Sequence, residues 1–361
     1  MKITTRRNRR SLHKGKRMSI AQFIQAMPKV ELFVQLEGAV QKKTLQMIAE
    51  QNEVAESLRH FQDWLNLLDK PDYKRLHEII KVVGGWLVEP EDLTRLAYDV
   101  GTTLARQNVK YAEVCVNTMA YSQLQISPDE FLAAINDGRD RAQRAWGIEL
   151  AWVFTVPRDE PRRADEIARW IGSITARRGN ALGMGLTGRE NIQPVEQFER
   201  AFKSVERKSI PRVVRAGDAL GLEGVEKAIQ ALAPNRLLDA WGLASSPELM
   251  NAVADRQIGV GVNLTRAVKQ GWIDNVSEYP LRTLYDADVP VFLGSDMPAL
   301  LHTTLNEQYQ LAVEQCGMGV DEVITMSLNA VRASFLPDER KAEMAQAFEA
   351  QYAELRETAG V

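Results

Sequence analysis

Histidine is scarce in this chain, with four in 361 residues, at positions 13, 60, 77 and 302. Any mechanism that needs several imidazoles must draw on those four. Cysteine is scarcer still: Cys115 and Cys316 alone exclude a disulfide framework and point to a reducing, cytoplasmic setting. Cys115 lies in an apolar run, where a thiol packs as a small buried side chain. No apolar run approaches the roughly 18 residues that span a bilayer, so no membrane partner is expected. With 45% hydrophobic and 26% charged residues, and only 23 Gly and 14 Pro, the composition is that of a globular protein.

The net charge of −3 is unevenly spread. Residues 1–17 hold eight Lys or Arg and no acid, which leaves a body at −11. An acidic body argues against a general nucleic-acid surface. Residues 1–18 read as a flexible basic tail, and nucleic acid or an acidic protein is expected to engage only through residues 1–17. The segment has no apolar core, so it does not read as a secretory signal.

From residue 19 to residue 361 short apolar runs alternate with longer amphipathic ones, as in a single domain. The runs Val30–Gly38, Val109–Asn117, Ile148–Pro157, Ala181–Gly188, Arg212–Gly217, Arg236–Leu243, Ile258–Thr265 and Val289–Asp296 predict strands. Pro128–Trp146, Pro161–Arg178, Ser246–Asp255 and Asp338–Glu357 predict helices. Eight strand–helix units with near-continuous apolar strands predict an α/β fold, a (β/α)8 TIM barrel. Residues 41–108 predict a helical insertion after the first strand, placed over the barrel mouth. In such a barrel the chemistry sits at the C-terminal strand ends, which here offer Phe33, Gln35, Glu113, Arg158, Arg189, Glu190, Arg215, Asp218, Trp241, Asn263 and Asp296.

Several of these lie in longer motifs. MPKVELFVQLEGAV, VRAGD, DAWGL and VFLGSDMPALLHTTLNEQYQLA, followed by SLNAVRASFLPDERK, resemble the adenosine deaminase family of the amidohydrolase superfamily, in order from residue 26 to residue 341. The resemblance implies a capped barrel and a site for a purine nucleoside or related compound. It also implies a zinc ion, held by three His and one Asp, that lowers the pKa of bound water for attack on the purine ring. By the same resemblance Gly188 and Glu37 would contact substrate. Asp218 stands at the proton-donor position, where the family has Glu.

The metal positions are another matter. The His-x-His motif is matched by Phe33 and Gln35, the third His by Arg215, the orienting His by Trp241; only Asp296 remains, followed by Met297. Phe33 offers no lone pair, and zinc rarely selects an amide oxygen such as that of Gln35. A guanidinium about 4 Å away, at an effective dielectric near 20, opposes each unit of metal charge by roughly 4 kcal/mol. The sequence therefore predicts a metal site lost from an intact barrel, no cofactor, and an Arg215–Asp296 ion pair. It predicts a catalytically degenerate protein with a nucleoside-type pocket or a regulatory role, engaging a protein partner or a second copy of itself. Two alternatives stand beside it. One is an active deaminase, with zinc or with a site rebuilt from Asp218, Glu113, Asp296 and His302. The other is nucleic-acid or partner binding through the basic tail.

Overall fold

The computed structural model describes residues 18–54 and 61–359. His13, His60 and the basic residues 1–17 lie outside them. Eight parallel strands follow one another around the sheet: β1 Lys29–Gln35, β2 Val109–Val116, β3 Glu149–Pro157, β4 Ala181–Thr187, β5 Arg212–Arg215, β6 Arg236–Leu238, β7 Gly259–Val262 and β8 Val291–Leu293. Their mostly apolar residues are buried on both faces, because helices cover the outside and side chains fill the inside. Asp296, just past β8, closes the circle: its N–H donates to the Phe33 carbonyl at 2.6 Å, and its carbonyl accepts from the Gln35 N–H at 2.7 Å. The fold is the expected (β/α)8 barrel.

The helix predicted over Pro128–Trp146 is present at those bounds. Ser127 and Glu130 cap its start reciprocally, and Gly147 ends it with φ +71°. The predicted helix Pro161–Arg178 is broken into a 3-10 turn and the helices Ala164–Ile171 and Ile174–Arg178, since Ser173 starts a new helix with its own side-chain cap. Between β1 and β2 the chain forms the helices Lys42–Gln51, Phe61–Asp69, Leu76–Gly84 and Pro90–Ala105. Among the described residues, no helix is long and apolar enough to cross a membrane.

Five strands, β1, β5, β6, β7 and β8, stop two to five residues earlier than predicted. β1 turns helical at Leu36, β6 ends at Leu238 and gives way to a 3-10 turn from Trp241, and β7 gives way to the helix Leu264–Lys269. Apolar runs continue past these ends because the first turn after each strand is itself buried under neighbouring helices. At the opposite end of the barrel, Phe335 lies 3.8 Å from the Arg236 guanidinium. Arg236 in turn pairs with Glu113, so the floor is sealed by a stacked and neutralised charge.

Candidate functional site

Four charged side chains from the ends of β5, β6, β7 and β8 meet at the barrel mouth. The buried Arg215 guanidinium bridges two carboxylates, with Nη1 at 2.9 Å from Asp239 Oδ2 and Nη2 at 2.9 Å from Asp296 Oδ1. Arg266 closes the ring, with Nη1 at 2.6 Å from Asp296 Oδ2 and Nε at 3.4 Å from Asp239 Oδ2. The predicted Arg215–Asp296 pair is thus half of a quartet.

Local backbone geometry sets the quartet. Asp239 and Asp296 both sit in the left-handed region, at φ +58° and +55°, a conformation that Asp tolerates better than most residues. Asp239 is anchored there by its N–H donating to the Gly261 carbonyl at 2.9 Å. Arg266 is placed by Asn263, whose side chain accepts from the Arg266 N–H at 2.7 Å and donates to the Gly294 carbonyl at 2.8 Å. Phe33 stacks on Arg215, the guanidinium carbon lying 5.1 Å from the ring centroid. A Cβ on Gly294 would stand 2.3 Å from Phe33 Cβ, so that ring needs glycine beside it. The Gln35 amide donates to Asp296 Oδ1.

Burial raises the carboxyls of this region. It pushes Asp239 up to about 7, against the pull of Arg215 and Arg266. Burial acts on Asp296 in the same sense, but the two guanidiniums and Gln35 outweigh it and hold its carboxyl below the usual range. Glu31, one layer beneath, accepts from the Ser295 N–H and hydroxyl and the Phe33 N–H, yet burial still lifts it to about 7. Arg215 is held charged against burial by Asp296 and Asp239.

Beside the quartet, Asp218 is buried with Oδ1 lacking a hydrogen-bond partner in the protein. Its loop is fixed by Glu190, whose carboxylate accepts from the N–H groups of Gly217, Ala219 and Leu220 at 2.9, 3.0 and 2.9 Å. Gly217 at φ +97° makes that turn possible. Arg158 donates through Nη2 to the Arg215 carbonyl at 2.7 Å, while its Nε and Nη1 lack partners. Gly188 is exposed at φ +89° after β4. Glu37 lines a small cavity of about 20 Å³, room for about one water, under the inserted helices, with Leu45, Leu68, Ile79, Val83 and Leu300. Its carboxylate accepts from the Asn117 N–H at 2.6 Å, and burial pushes it up to about 8.

Three expected placements are corrected. Trp241 is not the side chain that β6 sends to the barrel centre: the strand ends at Leu238, so Asp239 takes that place and Trp241 sits half-buried on the following turn. Glu113 is mid-strand and faces the floor, where Arg236 neutralises it, and does not reach the mouth. His302 is exposed at the end of the turn Pro298–Leu301. Asp218, Glu113, Asp296 and His302 are therefore not brought together as a rebuilt site. Asp239 and Arg266 were missed by sequence reasoning; the available signals were an acid interrupting the apolar run RLLDAWGL and an arginine three residues after a capping Asn.

A zinc site needs three or four converging lone-pair donors. By the motif resemblance Phe33 and Arg215 match two of those positions, and among the described residues no three His, Cys, Asp or Glu side chains are placed to share an ion. The residues present do not fit zinc.

Fold and site together define a (β/α)8 barrel with a charge quartet at its mouth. The chain belongs to the adenosine deaminase family, whose pattern matches residues 28–351. It is 27% identical over 324 residues to the aminodeoxyfutalosine deaminase of Streptomyces coelicolor, covering 90% of this chain and 84% of that protein. It is 29% identical over 260 residues to the adenine deaminase of Mesorhizobium japonicum, covering 70% and 78%. In structure it is similar to an amidohydrolase from Burkholderia ambifaria with bound Zn, at TM-score 0.86 and 24% identity over 96% of this chain and 97% of that one. It is also similar to the N6-methyl-AMP deaminase of Arabidopsis thaliana, at TM-score 0.80 and 20% identity over 91% and 98%.

Proposed function

We propose that this chain is a catalytically silent member of the deaminase family that acts in the cytoplasm by binding. Its partners would be a purine-type ligand at the capped mouth, or a protein that it regulates or scaffolds. One observation supports the reading: Arg215, which by the motif resemblance matches the family's third His, is a buried guanidinium paired with two carboxyls. Without a Lewis acid, water at the mouth remains far too weak an acid to ionise at neutral pH, and Asp218 alone does not supply the missing activation.

A second reading has one observation in its favour. The buried Asp239 carboxyl is held near 7, the range that suits a general acid or base. That would serve a metal-free hydrolase. Ammonia release from adenosine, adenine and aminodeoxyfutalosine decides between the two. No release above the uncatalysed rate is expected, together with a thermal shift on adding one of these compounds or inosine. Turnover abolished by Asp239→Asn would overturn the silent reading. For the basic segment, loss of RNA or protein capture on removing residues 2–17 would establish it as the binding element.

A further inference from the structure

The substitutions at the metal positions satisfy one another. Arg215 carries the charge, Phe33 presents a ring face to it, and Gln35 donates to the carboxylate that Arg215 pairs. Arg266, which lies outside every motif of the family resemblance, supplies the second cation and reaches both carboxylates. Independent decay of a metal site would leave orphaned charges in a buried mouth, each costing several kcal/mol. Here two guanidiniums face two carboxyls, and the charges cancel once Asp239 is ionised, as at pH 8.

We infer that Arg215 and Arg266 together replace the dication, two fixed guanidiniums cross-linking the ends of β5, β6, β7 and β8 so that the mouth holds its shape without metal. The inference rests on the proposed reading that no metal occupies the site. Charge alone is not enough. Arg215 hydrogen-bonds Asp296 through Nη2, while Nη1 lies 2.9 Å from Asp239 Oδ2 as an ion-pair contact without hydrogen-bond geometry, a span of two nitrogens that a single ammonium does not reproduce. Asp239 also gains a purpose: with Asp296 alone, two cations would leave the cluster at +1.

The test uses the full chain at pH 8, with metal content by mass spectrometry and Tm by calorimetry. Purified protein is expected to carry no stoichiometric zinc, and its Tm to stay within about 1 °C on adding EDTA or excess zinc chloride. Arg266→Met should lower Tm by roughly 5 °C or more. Adding Asp239→Asn to Arg266→Met, which restores neutrality, should recover at least half of that fall. Should Arg266→Met fail to fold, Arg215→Lys gives the comparison: a lowered Tm is expected because one ammonium spans one carboxylate only.

An unchanged Tm in Arg266→Met or Arg215→Lys, or strictly additive effects in the double variant, overturns this inference alone. Metal-free deamination overturns the silent reading and leaves the inference standing. Bound zinc, or a Tm lowered by EDTA, overturns both.

Discussion

Arg215 is 1% exposed and tied to two carboxylates, so its removal strands Asp296 in a buried pocket where, among the described residues, Arg266 is the cation that still pairs with it. Arg215→Ala should destabilise the fold by about 3–5 kcal/mol, the range for breaking a buried pair. Urea unfolding monitored by tryptophan fluorescence measures it, and an unchanged midpoint would refute the pairing. At this scale the sequence was legible wherever a motif carried the residue. Phe33, Gln35, Arg215 and Asp296 follow from the order of known motifs, and their chemistry alone argues against zinc. Asp239 and Arg266 were not legible. The first depends on a left-handed residue one position past a short strand. The second lies 30 residues from Asp296, and only folding makes it a neighbour. A lone Arg in the first turn of a helix carries no sign that its head points inward.

At the scale of elements, the eight strands and their order were readable because buried parallel strands are continuous apolar runs. Their ends were not, since the turns after β1, β6 and β7 are as buried as the strands. Those turns carry the site, so an error of two residues exchanged Asp239 for Trp241. The loop after β5 depends on a group from the loop after β4: Glu190 accepts three backbone N–H donors there. Glu190→Ala leaves those donors unpaired in a tight turn and should cost about 2–4 kcal/mol. Glu190→Gln, which keeps an acceptor oxygen, should lose about half as much. Hydrogen exchange of residues 217–220 reads this directly. Protection in that loop should fall in the alanine variant while the β5 amides stay protected. Equal loss throughout the barrel would instead point to a global effect.

For the whole molecule, the buried carboxyls set how stability follows pH. Burial lifts Asp239 and Glu31 to about 7 and Glu37 to about 8, whereas in the unfolded chain each titrates near 4. A carboxyl raised on folding binds its proton more tightly in the native state. Its contribution is therefore fully present below pH 4 and lost as pH rises through the folded value. Lys29, whose ammonium donates to the Ile24 and Met27 carbonyls at 2.7 Å, is lowered by burial to about 7. It adds no slope below pH 7, because it is protonated there in both states, and it works against the loss above pH 7. The net expectation is a Tm that falls between pH 5 and 7 and levels off toward pH 8. Glu37→Gln isolates one term, since the amide fills the same space and accepts from the Asn117 N–H without titrating. It should reduce the slope between pH 5 and 7 by up to about 1.4 kcal/mol per pH unit, the value for one proton. Urea midpoints across that range measure it in both proteins. An identical slope in the variant would show that Glu37 is ionised in the folded protein, and a wild-type stability that rises from pH 5 to 7 would refute the net expectation.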